Sequence, residues 1–161
     1  MCGIVGVGSI RPIVDKTWLK SARDSLTHRG PDDAGVWWSY DSCVGLAHRR
    51  LSIIDLSSSG HQPMLNNNKS HVIIFNGEIY NHCDLRVELT KLGYNFISKS
   101  DTEVLLTAYD AWGTDCLTHL NGQFAFGIYD LHKQIIFLAR DRAGEKPLFY
   151  HISKGVLYFS S

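Results

Sequence analysis

Cys2 stands directly behind Met1, at the head of the short apolar run MCGIVGVGSI. Methionine aminopeptidases generally remove a first methionine that precedes a small side chain, so Cys2 is expected to become the first residue of the mature protein. One residue would then carry a thiol and a free α-amine. With a pKa of about 7.7 to 8.0, that amine keeps a useful neutral fraction at neutral pH and can accept the thiol proton. Nucleophile and base would then need little further machinery to meet. The competing reading makes Cys2 a small buried hydrophobe.

A second group follows the apolar run HVIIF, in NGEIYN at residues 76–81. The Asn76 amide and the unobstructed Gly77 N–H could converge on a developing oxyanion, with Glu78 as a carboxylate beside them. Asn-Gly is also a common hairpin turn. Arg49 and Arg50 lie in the run AHRRLSIID, and because strand neighbours face opposite sides, one guanidinium should point inward. Facing a cleft, it would suit two-pronged capture of a carboxylate; otherwise the pair belongs to an exposed edge strand. Asp101 falls at the start of a helical pattern, where a carboxylate is stabilised whatever its function. The loop-like segments HRGPD and ARDRAGEKPLFY either shape a site or merely turn the chain. The eight histidines show no ligand spacing, and no metal is expected.

Strands must hold these groups. Period-2 or β-branched runs occur at residues 3–10, 34–40, 44–55, 71–81, 124–130, 134–141 and 155–161, each bounded by Gly, Asn, Asp or Ser. YDLHKQII reads as a hairpin. Helical spacing joins Trp18, Leu19, Ala22 and Leu26, then Leu85, Leu89 and Leu92, then Leu105, Ala108 and Trp112. Gly30, Gly93 and Gly113 are placed to stop those helices, and Ser100 with Glu103 matches a capping box. The grouping predicts an α+β layered domain.

The 161 residues suffice for one core, with 44% apolar residues, and sixteen basic residues balance sixteen acidic ones. That balance offers no footprint for nucleic acid or an anionic membrane. The opening run lacks a basic leader and a cleavage site, so no secretory signal is expected, and no stretch could span a bilayer. Four dispersed cysteines without a CxxC pair suit a reducing, cytoplasmic compartment.

Together, MCGIVGV, HRGPD, LAHRRLSIIDLSSSGHQPM, FNGEIYNHCDLR, SDTEVLLTAYDAWG, LNGQFAFGIYD and LARDRAGEKPLFY resemble, in order and spacing, the glutaminase domain of glutamine-hydrolysing asparagine synthases. That domain is a class II glutamine amidotransferase of the N-terminal-nucleophile type. The resemblance runs from residue 2 to the last residue. It implies a four-layer αββα sandwich, here short of its last strands, and L-glutamine as substrate. It assigns Cys2 as nucleophile and Asn76 with the Gly77 N–H as oxyanion hole. Arg50 would take the α-carboxylate, the backbone at Leu51, Ser52, Ile53 and Ile54 would line the pocket, and Glu78 and Asp101 would receive the α-ammonium. Arg29 would support the nucleophile loop.

Family members continue past the counterpart of YFSS with further strands and an ATP-dependent synthetase domain. The expectation is therefore a glutaminase domain at 2–161, truncated at its C-terminal end, with the synthetase part absent. ATP and Mg²⁺ would belong to that part, and the glutaminase step would need no cofactor. The synthetase could be supplied in cis or in trans, and a homodimer stays open. The alternative function is a catalytically silent glutamine-binding or assembly module of the same fold.

Overall fold

Along His71–Ile79 the side chains alternate between two cores. Val72 and Ile74 pack with Ile4, Leu46 and Phe159, whereas Ile73, Phe75 and Ile79 pack with Leu85, Leu89 and Leu105. A strand apolar on both faces must lie between two layers. The computed structural model describes residues 1–55 and 57–161; Leu56, inside the LSIIDL motif, lies outside them. Among the described residues, nine strands run antiparallel: β1 (Gly3–Ser9), β2 (Asp33–Trp38), β3 (Val44–Arg50), β4 (Met64–Leu65), β5 (His71–Ile79), β6 (Gly122–Asp130), β7 (Ile135–Arg140), β8 (Phe149–Ser153) and β9 (Val156–Ser160). They form one sheet in the order β2-β3-β1-β9-β8 and a second in the order β4-β5-β6-β7.

Helices close the outer faces. On the first sheet, α1 (Thr17–Ser25) packs Leu19, with Trp18, Ala22 and Leu26 beside it, against Val5 and Ala47. On the second, α2 (His82–Lys91), α3 (Asp101–Trp112) and the short α4 (Cys116–His119) cover Ile73, Phe75, Phe124 and Phe126. The order helix, sheet, sheet, helix is the expected αββα sandwich. Among the described residues, no helix is long and apolar enough to cross a membrane.

Several local expectations change. The strand expected over 44–55 ends at Arg50, because its pairings run out at Gly3↔Arg49 on one side and Asp33↔Arg50 on the other. Gly30 does not stop α1, which already ends at Ser25. Its task is close approach, since a Cβ there would lie 2.4 Å from the Arg49 carbonyl group. Ser100 Oγ accepts the Glu103 N–H, but the Glu103 carboxylate bonds Ile97 N and Ser98 N, because Ser98 Oγ already accepts the Ser100 N–H. The capping box is therefore made on one side only. Leu92 leaves its expected stripe and is exposed. β8 begins at the last two residues of ARDRAGEKPLFY, read as a loop, and runs on to Ser153; its hairpin with β9 turns at Lys154 and Gly155, both at positive φ. Lys-Gly is a weaker hairpin signal than Asn-Gly.

The sheets are also joined by one polar contact. His48, on the inner face of β3, places Nε2 3.0 Å from the Phe75 carbonyl oxygen. A carbonyl only accepts, so Nε2 carries the proton. Nδ1 is buried with no partner among the described residues. Burial pushes the imidazole pKa down to about 4, and the nearby Arg50 charge adds to the shift.

Neutral His48 therefore contributes stability that is complete above its unfolded pKa of about 6.5 and is lost as the pH falls to about 4. The linked change is roughly 3 kcal/mol. Asp101, held above the carboxylate range by burial, acts in the opposite sense. Urea unfolding of wild type and His48→Gln across this window isolates the histidine: the stability difference should shift by roughly 3 kcal/mol in the variant's favour. Parallel pH profiles would refute the buried neutral imidazole.

Candidate active site

Cys2 precedes the first residue of β1, and its carbonyl accepts the Arg29 Nε–H at 3.1 Å. Arg29 thus supports the backbone of Cys2 from behind. Leu51, just past the end of β3, donates its N–H to Cys2 Sγ at 3.4 Å, and its carbonyl lies 3.8 Å from the sulfur. Burial pushes the thiol pKa up; the Leu51 N–H, the charged chain terminus and Arg50 pull it back without cancelling the rise. Such a thiol needs a base beside it to react at neutral pH.

Asn76 stands on the inner face of β5. Both polar atoms of its amide are buried and have no partner among the described residues. Native structures seldom leave a buried amide unpaired without a role for it. The adjoining edge of β5 is uncovered, because β4 pairs only with Val72 and Ile73 among the described residues. In an antiparallel strand, alternate residues present their backbone groups to the same edge. On this edge, the Phe75 N–H donates to Gln62 Oε1 at 2.7 Å and the Ile79 N–H to Asp101 Oδ2 at 3.0 Å. Gly77 lies between them, so its N–H faces the same way. A Cβ on Gly77 would lie 2.2 Å from the Gln123 carbonyl oxygen, so only glycine fits there.

The two neighbouring arginines divide as alternation requires. Arg49 turns outward, donating to the Gly30 carbonyl at 2.9 Å and lying 3.7 Å from Asp24 on α1. Arg50 turns inward, buried, and β3 is an interior strand, which excludes the edge-strand reading. Its guanidinium donates Nη1–H to the Ser57 carbonyl at 2.9 Å and Nη2–H to the Asp55 carbonyl. Asp55 shapes that loop by accepting the Ser57 and Lys99 N–H groups. The remaining donors of the fork have no partner among the described residues, and the residue lines the cavity. Gly60 makes room for it, since a Cβ there would lie 2.0 Å from Arg50 Nη2.

One cavity of about 240 Å³ brings together Cys2, Arg50, Leu51, Ile53, Ile54, Asn76, Gly77, Glu78 and Asp101. Asp101 is buried at the first position of α3, and Glu78 is exposed, so the two carboxylates approach the cavity from inside and from the rim. Ser52 is not among the lining residues; its N–H donates to Asp32 Oδ2 at 2.8 Å. Met1 also lines the cavity. Gln62, Thr102, Gln123 and Lys146 also line the wall, and residue reasoning had not singled them out. Gln62 and Lys146 each precede a proline, in GHQPM and GEKPLFY, and those motifs were the only signal available. Among the described residues, no three His, Cys, Asp or Glu side chains are grouped to hold a metal ion.

A family model described as a glutamine amidotransferase domain matches residues 1–161. The chain is 44% identical over 154 residues to asparagine synthetase [glutamine-hydrolyzing] 3 of Bacillus subtilis (strain 168), covering 93% of this chain and 25% of that protein. It is 42% identical over 164 residues to asparagine synthetase B [glutamine-hydrolyzing] of Escherichia coli (strain K12), covering 100% of this chain and 29% of that protein. It therefore spans 25% and 29% of their respective lengths. The fold matches glutamine phosphoribosylpyrophosphate amidotransferase from B. subtilis with a TM-score of 0.79 at 22% identity, over 99% of this chain and 41% of that one. Over its whole length, this chain belongs to the glutamine amidotransferase domain family.

Proposed function

We propose that residues 2–161 form a glutaminase domain that hydrolyses the side-chain amide of L-glutamine through a γ-glutamyl thioester on Cys2, once Met1 has been removed. The observation that carries this reading is the buried, unpartnered Asn76 amide beside the edge-facing Gly77 N–H, in the cavity that also holds the thiol. An oxyanion formed there would meet donors already in place, with little reorganisation.

Arg50 takes the substrate α-carboxylate, and Asp101 with Glu78 takes the α-ammonium. Leu51, Ile53 and Ile54 wall the pocket, and Ser52 joins them through the backbone. Arg29 supports the nucleophile. Holding both head groups turns the amide toward the sulfur and removes most of the orientational cost of attack. The α-amine of Cys2 accepts the thiol proton, and the thiolate adds to the δ-carbonyl. Asn76 and Gly77 hold the resulting oxyanion. The amine then returns the proton to the departing nitrogen, so ammonia leaves neutral and the thioester remains. Water adds to the thioester, and glutamate is released as the thiol is restored.

The ammonia would feed an ATP- and Mg²⁺-dependent synthetase, in cis or in trans, with asparagine as product and the cytoplasm as setting. Met1 at the cavity supports one qualification: the unprocessed chain, with its Cys2 amine blocked, would bind glutamine without turning it over.

Met1-processed protein should release glutamate from glutamine, as measured by a coupled glutamate assay, and Cys2→Ala should abolish release; full activity in that variant refutes the assignment. Asn76→Ala should lower kcat by about 10²- to 10³-fold. Gly60→Ala, which pushes on the Arg50 guanidinium, should raise KM for glutamine about tenfold, the worth of one charge-assisted hydrogen bond. An unchanged KM in Gly60→Ala would remove Arg50 as the carboxylate anchor.

A further inference from the structure

Phe75 offers both its N–H and its C=O to the uncovered edge of β5, one residue before Asn76 and two before Gly77. Side chains do there what a neighbouring strand would ordinarily do. Gln62 accepts the N–H at 2.7 Å and is itself held by Nε2–H donation to Thr102 Oγ1 at 3.2 Å. His48 Nε2–H donates to the C=O at 3.0 Å.

His48 is the odd member of this pair. It is fully enclosed between the sheets, and its second nitrogen has no partner among the described residues. An apolar residue would avoid the unpaired Nδ1 but would strand the buried Phe75 carbonyl, so the imidazole stands there for the hydrogen bond it makes. Its position suggests what that bond does. His48 and Arg50 share the inner face of β3, two residues apart, and Phe75 adjoins Asn76 on β5. The His48–Phe75 hydrogen bond is thus a short, rigid brace between the strand that carries the carboxylate anchor and the strand that carries the oxyanion donors.

We propose that His48 is a positioning residue: by holding the Phe75 carbonyl, it fixes the aim of the Asn76 amide and the Gly77 N–H and the span from them to Arg50. This inference rests on the glutaminase reading above. A substrate grasped at its α-carboxylate presents its amide carbon at a distance set by its own chain, and the brace matches the oxyanion donors to that distance. Ground-state binding, which depends on the head-group contacts, is largely independent of it. The neutral ring suits the task, because an imidazolium would place a second positive charge beside Arg50.

The test compares Met1-processed wild type, His48→Leu and His48→Gln by steady-state glutaminase kinetics. His48→Leu removes the donor; His48→Gln keeps an N–H of similar reach. The expected result is a kcat lowered about 10- to 100-fold in His48→Leu, with KM within about threefold, and recovery of most of kcat in His48→Gln. A kcat unchanged in His48→Leu, or equally depressed in both variants, overturns the proposal. Should His48→Leu fail to fold, ¹⁵N-histidine NMR of the wild type reads the contact directly. A neutral ring protonated at Nε2 at neutral pH supports it, and a ring protonated at Nδ1 overturns it. A wild type that binds glutamine without releasing glutamate overturns the glutaminase reading, and the kinetic role with it, even where the NMR signature is found.

Discussion

The site depends on a strand left half uncovered. β4 shields β5 for two residues only, and beyond them the backbone of β5 would face the interior with its hydrogen bonds unmade. A buried, unpaired backbone group is costly, so each must find a partner. Gln62, His48 and Asp101 come from three separate elements to fill the edge on either side of Gly77. What remains between them is one N–H next to an Asn76 amide that has no partner among the described residues. The proposed oxyanion hole is in this sense an unfinished stretch of sheet, and its rigidity is that of the sheet around it.

The same alternation that builds the two cores separates the charges. Arg49 and Arg50 are neighbours in sequence, yet one braces α1 and the Gly30 carbonyl while the other enters the cavity. Inserting or deleting one residue in β3 would exchange them and leave a guanidinium facing the wrong layer. Glycines set the tolerances. Gly77 admits the neighbouring strand, and Gly60 admits the guanidinium. Neither has a positive φ, so space rather than backbone conformation selects them.

Much of this was legible in the residues. Alternation located most strands, the Asn76–Gly77 pair could be singled out from local pattern, and one of Arg49 and Arg50 was expected to face inward, with only the family resemblance naming Arg50. Cys2 could be proposed from position and chemistry, but its setting against Leu51 and Arg29 could not, because those contacts join residues up to 49 positions apart. Gln62 and His48 escaped for the same reason. Each looks ordinary in its own stretch, and each becomes meaningful only where β3 and the Gln62 segment meet the uncovered edge of β5. β8 was hidden by a hairpin turn of weak signature, and the strand expected past Arg50 ended where its pairing partners ended.

Chain termini commonly fray, which would be a poor place for a group that must meet an electrophile with sub-ångström accuracy. Here β1 is an interior strand, paired with β3 from Gly3 onward and with β9 from Val5 onward, and the peptide of Cys2 is tied to Arg29. The disorder ordinarily associated with a chain end is therefore removed at folding, and on the proposed reading so is the entropy that would otherwise be surrendered at every turnover. On the proposed reading, removal of Met1 would give Cys2 the chemical advantage of a free amine while it keeps the immobility of a core strand.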